Sequence, residues 1–265
     1  MFPNTYLFDI MFLLGAILGV GYLYLKTKNW NISSKQMDKL IIILGISGIV
    51  FYLSANFFDS LFQLLKGNTW EEGGITFLAG AICAIITFGL LFWFLLNELR
   101  PEFKKYMNVL VTGLVLGHAL GRIGCFCAGC CFGEITDSFL GIIFPKGSSP
   151  YRLVLNHYLD LGYSMSESEN LALTTKILPT QLIEAFFLFI LFGVLNLIKK
   201  NQFEVYLISY GTFRFIIEFF RADDRGSLFG IFSPSQWLSL LIIVVGIISI
   251  ILTYNKTNLS GKKSN

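Results

Sequence analysis

Gly117-His118-Ala119-Leu120-Gly121-Arg122-Ile123-Gly124-Cys125-Phe126-Cys127-Ala128-Gly129-Cys130-Cys131-Phe132-Gly133 is the stretch on which the reading of this chain turns. It begins as an apolar helix, sets a guanidinium in it at Arg122, and passes into glycines and cysteines. A charged side chain near the middle of a bilayer costs roughly 3 kcal/mol on insertion scales, so it needs a partner, a wet cavity or a task. We read Arg122 as having a task. The glycine density from Gly121 onward predicts that the helix gives way to irregular backbone, which survives at membrane depth only when buried in protein or lining a cavity.

The rest of the chain supports a membrane setting. Of 265 residues, 54% are hydrophobic and 14% charged, 27 are phenylalanine, and the mean hydropathy is +0.67. Apolar runs of about 20 residues, the length of a spanning helix, recur along it. They cover 6–25, 40–65, 75–96, 107–120, 179–198, 204–220 and 231–254, which predicts one all-α integral membrane domain over 1–265 with about seven transmembrane helices, the fourth short. No positive charges precede the first run and no small-residue cleavage site follows it, so it reads as a retained span. The net charge of +3 is too weak to imply nucleic acid.

Lys and Arg accumulate in cytoplasmic connections. With the N-terminus outside and the C-terminus cytoplasmic, the inner connections carry twelve, including Lys26, Lys39, Arg100, Lys104 and Lys199. The outer side carries seven over a longer sequence: Lys66, Arg122, Lys146, Arg152, Lys176, Arg221 and Arg225. In that orientation Asp9, Asn56, Asp59, Arg122, Gln181, Glu184, Arg214 and Glu218 all fall in the outer half, as a cavity open to the outer leaflet requires. A purely structural polar network is the competing reading for each of them.

Tyr210, Arg214 and Glu218 are spaced by four and share a helical face that Arg221 continues. Arg214 and Glu218 can neutralise each other. Equally, guanidinium forks match phosphate oxygens bidentately, and three arginines share one depth with a phospholipid headgroup. Gly113, Gly117 and Gly121 form one small-residue ridge and Gly15 and Gly19 another, the pattern that lets helices approach closely in lipid. Gly73, Gly74 and Gly80 suggest a second irregular opening.

Cys125, Cys127, Cys130 and Cys131 match no standard zinc spacing and have no paired histidines, so no metal is expected. Small apolar filler comes first for them, a disulfide second and a catalytic thiol third. The stretch 134–178 is the sizeable polar segment and reads as an extracytoplasmic head, with Tyr151 to Leu161 apolar enough to lie on a membrane surface. Ser164 and Glu167 form a capping-box pattern. His157 reads as an exposed polar residue, while His118 precedes Arg122 by one turn and is a possible base.

These motifs together resemble the prolipoprotein diacylglyceryl transferase family. Gly121-Arg122-Ile123-Gly124 with its glycine-punctuated continuation to Gly133 is similar to the family signature. Pro179-Thr180-Gln181-Leu182-Ile183-Glu184-Ala185, the Tyr210-Gly211, Arg214-Phe215, Glu218-Phe219 and Arg221 series, and Ser235-Gln236-Trp237-Leu238-Ser239 match further segments in order. Leu78, Phe8 and Leu178 stand where the family usually has histidine, tyrosine and histidine, and Cys125 and Cys130 replace an asparagine and an acidic residue. The chain therefore resembles a divergent, cysteine-rich branch.

The resemblance implies transfer of the diacylglyceryl group of phosphatidylglycerol to the lipobox cysteine thiol of a prolipoprotein signal peptide, releasing glycerol phosphate, in the bacterial cytoplasmic (inner) membrane with the site facing the outer leaflet. It implies no metal or organic cofactor. Arg122, Arg214 and Glu218 are then the catalytic candidates, with Gly121, Gly124, Cys125, Gly133, Gln181, Glu184, Tyr210 and Arg221 beside Arg122 in substrate binding and His118, Glu184 or Glu218 as base. The rivals are a transferase for another lipid or acceptor, a non-catalytic phospholipid-binding or translocating protein, and a thiol redox protein.

Overall fold

A computed structural model of the chain describes residues 5–30, 32–65, 76–222 and 231–262. Gly73, Gly74, Lys66 and Arg225 lie outside the described residues. The described residues form nine α-helices: α1 (Thr5–Thr27), α2 (Ser34–Leu65), α3 (Phe77–Leu95), α4 (Phe103–Ala128), α5 (Ser149–Asp160), α6 (Met165–Ala172), α7 (Thr180–Leu197), α8 (Gln202–Ile217) and α9 (Pro234–Lys262). Among them, β structure is limited to isolated bridges such as Gly133 with Arg221 and Ile135 with Ile177.

Six helices are long and apolar enough to cross a bilayer: α1, α2, α3, α4 with the 3₁₀ turn before it, α7 and α9. The protein is an all-helical, multi-pass membrane protein. Large apolar side chains such as Ile10, Leu13, Ile17, Leu53, Phe94, Phe186 and Leu252 are exposed on these helices. In water that surface would be a liability; in hydrocarbon it is the solvent-facing side. The helix at 202–217 is shorter, 16 residues with a 3₁₀ turn to Phe220.

Two apolar clusters hold the bundle. Val111, Val115 and Ala119 of α4 meet Leu188, Leu191 and Leu195 of α7, Tyr206 and Tyr210 of α8 and Ile242 of α9. Leu23, Leu40, Ile43, Phe88, Phe92 and Tyr106 join α1 to α4. The closest approach is between α1 and α4: a Cβ on Gly15 would lie 2.7 Å from the Gly117 carbonyl oxygen, and one on Gly113 2.7 Å from that of Gly19. The helices touch backbone to backbone, as the paired small-residue ridges predict. Gly121 departs from the ridge, since nothing lies within 4 Å of a Cβ built on it. Gly80 marks no irregular opening; it sits inside α3 against the Phe51 carbonyl and Ala55 of α2.

The expected break at Gly121 is also corrected. The helix continues through Arg122, Gly124 and Cys125 to Ala128, because Gly124 packs against Phe8 and Met11 of α1 and its helical conformation is held by that neighbour. Termination comes at Gly129, in the left-handed region at φ 68°, with Gly129 N–H donating to the Phe126 carbonyl and Cys130 N–H to that of Cys125. That double bond around a left-handed glycine is a Schellman stop.

The segment 134–178 builds a small core in which Phe144, Tyr151, Val154, Ala172 and Ile177 meet Phe132 just before it. The apolar face of α5 is therefore used inside this segment. At α6 the capping box is present in full, with Ser164 and Glu167 each bonding the other's backbone N–H.

Candidate functional site

The site lies where the far end of α4 meets the start of α7 and the end of α8. Arg122, buried, donates from Nε to Glu184 Oε1 at 3.0 Å and to His118 Nε2 at 3.3 Å. Glu184, on the first turns of α7, also accepts from the Tyr210 hydroxyl of α8 at 3.0 Å. One carboxylate thus ties three helices. The His118 ring stacks on Phe77 with centroids 3.6 Å apart and meets Tyr210 edge-on. With Nε2 accepting from Arg122, the neutral imidazole carries its proton on Nδ1.

Arg214 forms the second half. Its Nη2 lies 2.7 Å from Glu218 Oε2 and 3.2 Å from Ser235 Oγ of α9. Glu218 Oε1 accepts from the Ser233 hydroxyl at 2.8 Å, and Arg221 Nε is 4.0 Å from Oε2. The other terminal nitrogen, Arg214 Nη1, is buried and has no hydrogen-bond acceptor among the described residues. A guanidinium nitrogen without an acceptor away from water costs energy.

Arg122 and Arg214 line one cavity of about 850 Å³. His118, Gly121, Cys125, Cys130, Cys131 and Ser235 share its polar end, while Phe12, Leu23, Leu44 and Phe88 extend it as an apolar trough between α1, α2 and α3. Leu78 is on the wall as well. Glu184, Glu218, Tyr210 and Gln181 are behind the wall, holding the residues that form it. Gln181 Nε2 donates to the Cys130 carbonyl at 2.6 Å, and Thr180 Oγ1 to that of Cys131 at 2.7 Å.

Three of the sequence candidates, Gly124, Gly133 and Arg221, are placed at helix and backbone contacts away from the cavity. Gly124 faces α1 as above. Gly133 bridges Arg221, and a Cβ on it would lie 2.6 Å from the Phe220 carbonyl and 2.8 Å from that of Leu178. Only a residue without a side chain fits between them. Arg221 is tied through the same bridge and through Glu218. Conversely, Ser233, Ser235 and Thr76, whose Oγ1 lies 2.6 Å from Asp59 Oδ1, were not among the candidates. Ser235 had a signal in the Ser235-Gln236-Trp237 motif, and Asp59 in its polar position within an apolar run.

The family model for prolipoprotein diacylglyceryl transferases matches residues 4–252, nearly the whole chain. The chain belongs to that family. Among its relatives, phosphatidylglycerol–prolipoprotein diacylglyceryl transferase 2 of Clostridium perfringens is 37% identical over 163 residues, 59% of this chain and 53% of the relative. The match to the transferase of Clostridium tetani covers 51% of that protein, so the chain spans about half the length of these two relatives. The transferases of Buchnera aphidicola and Dechloromonas aromatica are 29% and 27% identical over 94% and 95% of this chain, covering 91% and 92% of theirs. The cavity has a cationic end and a long apolar wall.

Proposed function

We propose that the protein transfers the diacylglyceryl group of phosphatidylglycerol to the cysteine thiol of a prolipoprotein lipobox, forming a thioether and releasing glycerol phosphate. The observation that carries this reading is the single cavity with buried Arg122 and Arg214 at one end and an apolar trough along the rest. Its volume lies within the range of small-molecule sites, and its polarity runs in the sense of a phospholipid. The names of the relatives supply the lipid and acceptor classes.

In this reading Arg122 and Arg214 hold the phosphate and take up the charge that develops as the bond between the sn-3 carbon and phosphate oxygen breaks. Glu184 and Glu218 orient the two guanidiniums from behind. Gly121, with open space where a Cβ would be, leaves room for the headgroup. His118 is a weak base candidate, since Nε2 is occupied by Arg122.

The arrangement has seven spans, with α8 counted, N-terminus outside and C-terminus cytoplasmic, in the inner membrane. Basic residues support it: Lys39 donates to the Leu95 carbonyl at 3.0 Å, and Lys104 pairs with Glu204 at 2.9 Å, both at the bundle end opposite Arg122. The 134–178 segment and the cavity mouth then face the outer leaflet, where the signal peptide arrives.

The direct test is transfer of labelled diacylglycerol from phosphatidylglycerol to a lipobox peptide by membranes holding wild type, Arg122→Ala or Arg214→Ala. Removing one charge-stabilising donor costs roughly 100- to 1,000-fold in rate in comparable sites. Near wild-type transfer by both variants at equal expression refutes the phosphate grip.

A further inference from the structure

Three sulfurs meet at the mouth of the cavity, although the spacing of their residues matches no standard metal motif. The last turn of α4 supplies Cys125. Beyond it the chain reverses through two left-handed residues, Gly129 at φ 68° and Cys131 at φ 64°, and brings Cys130 and Cys131 back over that turn. A non-glycine residue in this region costs on the order of 1 kcal/mol and persists only where its surroundings hold it. Here Thr180 and Gln181 of α7 grip the two cysteine carbonyls. The Sγ atoms of Cys125, Cys130 and Cys131 all lie within 4.8 Å of one another. Three thiolates on a tetrahedral zinc, each about 2.3 Å from the metal, stand about 3.8 Å apart, so small side-chain rotations close the shell. Among the described residues, no imidazole or carboxylate completes the group.

We propose that Cys125, Cys130 and Cys131 bind a zinc ion whose fourth position opens to the cavity, and that the acceptor thiol of the transfer reaction occupies it as a thiolate. The assignment rests on the transferase reading and adds the group that activates the nucleophile. Three thiolates on Zn²⁺ leave a net charge of −1, one helical turn from Arg122 on the same wall. The other bases near the cavity have partners, His118 Nε2 and Glu184 in Arg122, Glu218 in Arg214 and Ser233, and Asp59 in Thr76, while His118 Nδ1 is buried with no hydrogen-bond partner among the described residues. A metal with three protein ligands and one open corner is the catalytic form of zinc, and a thiol that coordinates it gives up its proton. That proton goes to water. The zinc-bound sulfur then attacks the sn-3 carbon, the carbon–sulfur bond forms, and the carbon–oxygen pair leaves with the phosphate held by Arg122 and Arg214. The neutral thioether is a poor ligand and departs.

The test uses the full chain in detergent, purified with a non-thiol reductant and offered Zn²⁺ or Co²⁺ alone. About one zinc per chain is expected by elemental analysis, falling to background in Cys125→Ser, Cys130→Ser and Cys131→Ser and unchanged in Cys83→Ser and Cys127→Ser. The cobalt form shows a sulfur charge-transfer band that shifts on adding a lipobox peptide and not its serine analogue. Background zinc in wild type, zinc retained by all three ligand variants, or a resting disulfide between these cysteines each overturns the site. Arg122→Ala separates the two readings, because it keeps its zinc while losing transfer. Wild type that transfers without zinc refutes the metal site alone; wild type that holds zinc, shifts the cobalt band with peptide and makes no thioether refutes the transferase reading alone.

Discussion

Glu184 is the residue on which the cationic end of the cavity depends. It is almost wholly buried and accepts from both Arg122 and Tyr210. Replacing one member of such a pair leaves the other charge buried without compensation, which costs about 3–5 kcal/mol. Glu184→Gln is therefore expected to lower unfolding stability in detergent by that order, and to reduce transfer because Arg122 loses its orientation. Arg122→Met combined with Glu184→Leu is expected to regain much of the stability and none of the transfer, read by thermal unfolding and the labelled-lipid assay on the same preparations. If the double variant is as unstable as Glu184→Gln, burial of an unpaired charge is not what the single change costs. The pairing itself was not fixed by local sequence: Arg214 with Glu218 was legible at i,i+4, whereas Arg122 with Glu184 joins two helices far apart in the chain.

Among the helices, α4 has opposite demands on neighbouring glycines. Gly117 lies against the Gly15 backbone, while Gly121, one turn on, faces open space on the cavity wall. Gly117→Leu is expected to force α1 from α4, at the roughly 1–3 kcal/mol typical of overpacking or more. Gly121→Leu is expected to leave unfolding nearly unchanged and to raise KM for phosphatidylglycerol, because the new side chain enters the headgroup space. Equal loss of stability in both would contradict the placement of Gly121. The start of α6 gives a pH prediction. The Ser164 hydroxyl and backbone N–H hold the Glu167 carboxyl below its usual range. Since the folded value is the lower one, this contribution is complete above the ordinary glutamate value of about 4.3 and is lost as pH falls through the folded value. Hydrogen exchange in 164–168, normalised to intrinsic rates, is expected to accelerate below that point in wild type and to be fast and less pH-dependent in Glu167→Gln.

For the molecule as a whole, the two ends of the bundle differ in chemistry. One gathers Lys39, Lys104 and Glu204; the other holds the cavity mouth and the 134–178 segment. Alkaline phosphatase inserted after Gly162, a left-handed glycine with open space around it between α5 and α6, is expected to be active, and a fluorescent protein fused to the C-terminus to fluoresce. The reverse result for both reporters would invert the proposed orientation. The membrane class, six of the apolar spans, the glycine contact of α1 with α4 and the capping box of α6 were legible in the residues, while the fourth span, expected to be short, is a 26-residue helix. Each depends on composition, on a period, or on neighbours within a turn, and such terms act along the chain without knowledge of the fold. The irregular stretch expected from Gly121 was an error of the same local logic. Glycine density argues against a helix standing alone, but Phe8 and Met11 of α1 support this one to Ala128. Tertiary packing alone determined that Glu184 pairs with Arg122, that Gln181 and Thr180 serve the backbone of Cys130 and Cys131, and that three sulfurs converge on a wall shared with two arginines. These are contacts between helices distant in sequence, and their geometry is set by how whole helices pack, a quantity to which no single stretch of residues has access.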